Sequence, residues 1–255
     1  MRKTSLWSLY IGVYTIPAGF VLLFLPQVFT FIQVAPADDP WLRFSGAIFM
    51  ALGYFNIVLF RERPLAVMAA VFICHTVFTV FIGTLAVLQA SPILYVVTVV
   101  MLIGTVGSTL TYFAERRSYT PTPFQRKPRT RMWNLYVAIY TLLFGVLPVL
   151  LPSPISFILG FERPEGLWVI ISGMGFLVLS SANFVTYAQQ GPATVILAIL
   201  HIRLWFILVL IAMIVLGYPP RIALILLIVL VGVVGTIRTY RLENEGLVSS
   251  RDEVR

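Results

Sequence analysis

"WSLYIGVYT" (Trp7 to Thr15) returns later in the chain as "WNLYVAIYT" (Trp133 to Thr141), a spacing of 126 residues. The echo runs on from there. The same spacing pairs Gly19 with Gly145, Pro26 with Pro152 and Phe31 with Phe157. A spacing of 127 pairs Trp41 with Trp168, Ser45-Gly46 with Ser172-Gly173 and Asn56 with Asn183. The chain's two histidines, His75 and His201, pair at 126 again. A spacing of 128 then relates Pro92 to Pro220, Gly104 to Gly232, Gly107 to Gly235 and Tyr112-Glu115 to Tyr240-Glu243. Each change of spacing can be placed in a loop. A chance match of Leu- and Val-rich stretches does not keep Trp, Tyr, Asn, His and Pro in one order, so the pattern reads as a duplicated structural unit.

The unit is a membrane unit. Of 255 residues, 59% are hydrophobic and 11% charged, against about 25% charged in an ordinary soluble domain. Spanning about 30 Å of hydrocarbon takes ~20 apolar residues in a helix. Runs of that kind fall at 6–26, 42–60, 65–88, 93–113, 133–151, 167–187, 193–216 and 221–241. The fold expected is therefore all-α and membrane-embedded, with eight transmembrane helices as two four-helix repeats (4+4). An even number of spans per repeat makes the two parallel, related by an axis along the membrane normal. The domains are then 1–114, a basic Pro-rich linker 115–131, 132–242 and a tail 243–255.

The net charge of +8 is not a nucleic-acid footprint, because its distribution follows the spans. Arg2, Lys3, Arg61, Arg63, Arg116, Arg117, Arg126, Lys127, Arg129, Arg131, Arg238, Arg241, Arg251 and Arg255 are 14 of the 18 basic residues. All fall on one side if the N-terminus is cytoplasmic. The opposite loops hold Asp38, Asp39, Glu162 and Glu165, with Arg43, Arg163 and Arg221 near helix ends. This positive-inside bias predicts an N-in, C-in topology, fits a bacterial inner membrane and draws the basic loops to anionic lipid. Ala35-Pro36-Ala37 formally fits a signal-peptide cleavage site, but the preceding apolar stretch is too long and ends too early, so it reads as a retained span. Cys74 is the single cysteine and can form no internal disulfide.

One copy begins with an aromatic helix ending in "LFLPQVF", followed by a loop, by "LRFSGAIFMALGYFNIVLFRERP" and by two further helices. That order resembles the DoxX-like four-helix membrane proteins. The resemblance lies in the layout and in the Gly-rich second helix, and covers both halves as a tandem duplication. It implies a compact four-helix bundle and carries over no catalytic residue.

Polar groups at bilayer depth are costly and mark function. No Asp or Glu lies inside a predicted span, which argues against carboxylate relays and against a Ser/His/Asp hydrolase. Two histidines and one distant thiol are too few for a structural zinc site. His75 and His201 sit mid-span, each one loop after an asparagine, Asn56 or Asn183. The plainest expectation is that each histidine bonds its own copy's asparagine or a backbone carbonyl. At one depth and facing the axis, the two rings would instead hold one haem b from both sides. Arg203 breaks the repeat, with Val77 at the matching place, and is expected either to snorkel to the headgroups or to meet an anionic ligand. Trp205, one turn from His201, shares that histidine's face. Tyr14 and Tyr140 lie about two turns into their spans, where a hydroxyl needs a partner, and are expected to line a cavity. Trp7 and Trp133 read as interface anchors, and the paired glycines of the fourth and eighth spans as close-packing points.

These residues point away from an enzyme. The leading expectation is a protein that binds or translocates a lipid-like or amphipathic molecule between the repeats, with His75, His201, Asn56, Asn183, Arg203, Tyr14 and Tyr140 in contact with it. The alternatives are a haem- or pigment-binding electron-transfer subunit using His75 and His201, and a structural or assembly subunit of a larger complex. Membrane lipids and an apolar or anionic small molecule are the partners implied; nucleic acid is not.

Overall fold

A computed structural model describes residues 3–31, 39–89, 92–118, 128–161, 166–189 and 193–252. Arg2, Ala35-Pro36-Ala37, Asp38, Glu162, Arg163, Glu165, Arg255 and linker residues 119–127 lie outside the described residues. The helices are α1 (Lys3–Phe24), α2 (Gln27–Phe31), α3 (Pro40–Glu62), α4 (Leu65–Gln89), α5 (Pro92–Glu115), α6 (Pro128–Leu150), α7 (Pro152–Leu159), α8 (Leu167–Gln189), α9 (Ala193–Val215) and α10 (Ala223–Asp252). Among the described residues eight of them are long and apolar enough to cross a membrane, all but the short α2 and α7. The chain is a multi-pass helical membrane protein.

Two boundaries differ from expectation. Helix α6 starts at Pro128, inside the expected linker, because a distant carboxylate completes its first turn. Glu243 Oε1 accepts from the Arg129 amide at 2.7 Å, and Oε2 from the Thr130 hydroxyl at 2.5 Å. Glu115 does the same for α1, accepting from the Lys3 amide at 2.6 Å. A carboxylate at a helix N-terminus satisfies amides that have no intrahelical acceptor and meets the positive end of the helix dipole. Helix α10 also runs on to Asp252, into the segment expected as a tail.

The helix neighbours come in matched pairs. Helix α1 lies along α3 and α6 along α8; α5 closes on α1 and α4, as α10 closes on α6 and α9. Helices α3 and α8 cross at the centre, α4 packs on α8, and α9 packs on α3. The central pair is accordingly the most enclosed, with 67% of each span buried against 28% for α5. Close backbone approach explains the glycines here. A Cβ on Gly19 would lie 2.6 Å from the Gly46 carbonyl oxygen, and one on Gly173 would lie 2.7 Å from the Gly145 carbonyl oxygen.

The centre is closed. The Ser45 and Ser172 hydroxyls lie 2.8 Å apart, and each lies 3.3 Å from a carbonyl oxygen across the contact, that of Trp168 or Trp41. A Cβ on Gly175 would come within 2.4 Å of Ile48. The serine contact itself leaves no room for a ligand, and the spaces that residues of both halves border lie beside it. Trp7 and Trp133 are not simple interface anchors either, since their indoles fill the places that side chains on Gly107 and Gly235 would take.

Candidate ligand site

The seven expected site residues divide among three places. Tyr14, Asn56 and His75 line a cavity of about 320 Å³ within the first half, walled by α1, α3, α4 and α5 and by Trp168, Ile171 and Val178 of α8. Tyr140, Asn183 and Arg203 line a space of about 30 Å³ in the second half. His201 lines neither. Its ring borders an outward groove with Tyr54 and Trp205, and its Nδ1 lies 2.8 Å from the Tyr54 hydroxyl.

This overturns the pairing of the histidines. Helix α4 begins at Leu65 and α9 at Ala193, a displacement of 128. At that displacement the buried and exposed positions of the two helices agree. Phe78 and Phe206 are buried, Val80 and Leu208 exposed, and Ile82 and Leu210 buried. His201 then falls opposite Ile73, which is 65% exposed, and His75 opposite Arg203, both buried. Both groups also sit against matched glycines, His75 beside Gly104 and Arg203 beside Gly232. One signal in the sequence carried this: a displacement of 128 makes the series 126, 127, 128, 128, whereas the histidine pairing needs it to fall back and rise again.

Hydrogen bonding around His75 has one consistent direction in the neutral ring. The Thr79 hydroxyl donates to the His75 carbonyl at 2.8 Å, so the Thr105 hydroxyl donates to Thr79 at 2.9 Å. Having spent its proton, Thr105 accepts from His75 Nδ1–H at 3.0 Å. That leaves Nε2 as the acceptor for the Tyr14 hydroxyl, its other neighbour. Asn56 is not part of this network, contrary to expectation. Its Nδ2 donates to the Leu52 carbonyl one turn back at 2.8 Å, and Asn183 does the same to Leu179 at 2.7 Å. The Asn56 Oδ1 is buried without a partner. With one ring nitrogen protonated, the other engaged by Tyr14, and the rings lining separate spaces, His75 and His201 do not assemble the axial pair expected for a haem b.

Size is what separates the two halves. At the displacement of 126 found for α1 and α6, Ala18 stands where the second half has Phe144. Ala18 lines the large cavity. Phe144 instead packs at a tilt against Phe176 at 6.0 Å, and Phe176 against Phe206 at 5.7 Å, filling the corresponding space. The walls of the large cavity are hydrocarbon from Ile11, Leu22, Phe49, Phe78 and Met101. Tyr14, Thr15, Asn56 and His75 bring the polar groups toward one end, and Trp168 stands toward α2 at the other. Val96 of α5 both lines the cavity and is 64% exposed on the outside, so the α5 side is where the space communicates with its surroundings.

Arg203 does not snorkel. It stands near the middle of α9, is 2% exposed, and turns inward onto α10. Its Nη1 donates to the Gly232 carbonyl at 3.0 Å and to the Thr236 hydroxyl at 2.7 Å. A Cβ on Gly232 would meet the Tyr136 ring at 3.2 Å and the guanidinium only at an ordinary 3.7 Å.

Fold and cavities together define a polytopic helical membrane protein with an internal apolar chamber. No family model, curated protein or solved structure matches the chain.

Proposed function

We propose that this protein binds, and passes along the membrane or holds, an amphipathic molecule with an apolar body and a neutral hydrogen-bond-donating head. The observation that carries this reading is the chamber of about 320 Å³, almost wholly apolar, with Tyr14, Asn56 and His75 among the residues that line it. Beside it the buried Asn56 Oδ1 lacks a partner, and the Tyr14 hydroxyl, which donates to His75 Nε2, keeps lone pairs free to accept. A ligand hydroxyl answers both. The volume lies at the lower end of small-molecule sites, which are mostly apolar with few placed polar groups. Entry beside Val96 suits a molecule already dissolved in the bilayer.

The reading includes two four-helix units in tandem, related by an axis along the membrane normal, with both termini cytoplasmic. The matched helix neighbours, the two carboxylate caps and the two indole seats on glycine support it. So does the DoxX-like layout of each half, although α4 and α9 each lean on the other half rather than closing a bundle alone. A bacterial cytoplasmic membrane fits the basic loops.

The test borrows the residue that the second half already uses. Ala18→Phe should fill the chamber as Phe144 fills its counterpart. Native mass spectrometry of the protein in mild detergent should find a bound lipid-like species in the wild type and none in the variant, with thermal stability retained. A wild type that carries nothing, from membranes or from added long-chain alcohols, would sink the proposal. Equal occupancy in a folded Ala18→Phe would do so too.

A further inference from the structure

The geometry points to a second, separate site: a small inorganic anion of halide size held at Arg203 in the second half. A guanidinium has five N–H donors. Nη1 is engaged, but Nε and Nη2 are buried with no hydrogen-bond partner, leaving three N–H groups unanswered. Arg203 is ten residues from the start of α9, about 15 Å at 1.5 Å per residue, so these groups cannot reach either membrane surface. The acidic side chains that the structure describes, Asp39, Glu62, Glu115 and Glu243, all stand at or just beyond the ends of the candidate membrane spans. A buried cation with no counter-charge and three of its five donors unanswered is strongly unfavourable. An occupant that accepts three N–H bonds and carries negative charge removes both penalties.

The space beside it sets the size. Arg203, Tyr140 and Asn183 share a space of about 30 Å³, and one water-sized sphere needs roughly 10–15 Å³ by this measure. There is room for a monatomic anion and one water, and none for a phosphate ester with its alcohol. The unpartnered Asn183 Oδ1 is answered by that water, which can donate to it and to the anion together. A water alone would accept from the guanidinium but leave its charge uncompensated. The site does not depend on the amphiphile reading, because the large chamber lies in the other half and holds His75 where Arg203 stands here.

The test is thermal unfolding of the whole protein in mild detergent, with sodium gluconate replaced stepwise by sodium chloride or bromide at constant ionic strength. The wild type should gain several degrees and saturate. Arg203→Gln should show no halide dependence, and Arg221→Gln, at an exposed guanidinium, should keep all of it. If Arg203→Gln does not fold, Tyr140→Phe supplies the second reading, with a weakened halide response. A wild-type transition indifferent to halide, which is the result for a water-filled space, overturns the proposal. So does a full halide response in a folded Arg203→Gln.

Discussion

Replacing Gly235 by alanine should destabilise the protein, although the same change in an unobstructed helix is favourable. An ideal Cβ there would lie 2.1 Å from Trp133 Cζ2 and 2.2 Å from its Cε2. The indole cannot simply withdraw, since Tyr136 packs edge-on against it at 5.5 Å. Forcing a methyl into such a contact costs about 1–3 kcal/mol, offset by the roughly 0.8–1 kcal/mol that alanine gains over glycine in a helix. A net loss of about 1 kcal/mol is expected. Gly107→Ala, whose Cβ would lie 2.0 Å from Trp7 Cζ2, should lose the same amount. Unfolding in mild detergent followed by tryptophan fluorescence gives the value, and a double-mutant cycle assigns it. With Trp133→Leu already present, Gly235→Ala should become neutral or stabilising. Gly83→Ala, whose Cβ meets only Thr98 at 3.2 Å, is the control. The reasoning fails if Gly235→Ala stabilises the wild type, or if its penalty survives unchanged beside Trp133→Leu.

Phe144→Ala should open in the second half the chamber that the first half already has. For a half-buried ring this should cost about 2 kcal/mol, below the 3–5 of full burial, and the variant should admit a long-chain alcohol detectable by native mass spectrometry. Glu243→Gln should loosen the start of α6 by about 0.5–1 kcal/mol, seen as faster amide hydrogen exchange at Arg129 and Thr130, and Glu115→Gln should act likewise at α1. His75→Ala should cost about 1–3 kcal/mol in thermal unfolding, because Tyr14 loses its acceptor and Thr105 one of its two partners. His201→Ala should cost less, since Tyr54 on the outer groove loses one contact. Equal losses would contradict the different surroundings found for the two rings.

Much of the architecture is legible without coordinates because it rests on local properties. Whether about 20 residues can cross a membrane depends on their own hydropathy, so the eight apolar helices are legible to within a few residues at most ends. The start of α6 is not, because it depends on Glu243, more than a hundred residues away. Likewise the glycines at 107 and 235 announce close packing, but only the packed structure shows an indole of α1 or α6 as the neighbour.

The site shows the same division more sharply. Composition and order determine by themselves that His75, Asn56, Tyr14 and their counterparts lie at depth in apolar helices. Chemical likeness also invites the pairing of the two histidines, and that pairing is wrong by two residues. Two residues are about 200° of helix, enough to turn a side chain from the interior to the outside, and a loop absorbs such a shift without trace. Only the tertiary structure decides that Arg203 turns inward beside Gly232, as His75 does beside Gly104, and that His201 faces outward to Tyr54. It alone decides, too, that one alanine in place of a phenylalanine leaves a chamber in the first half and almost none in the second. Helix phase and free volume are sums over neighbours brought together from distant parts of the chain, and no single stretch of sequence contains them.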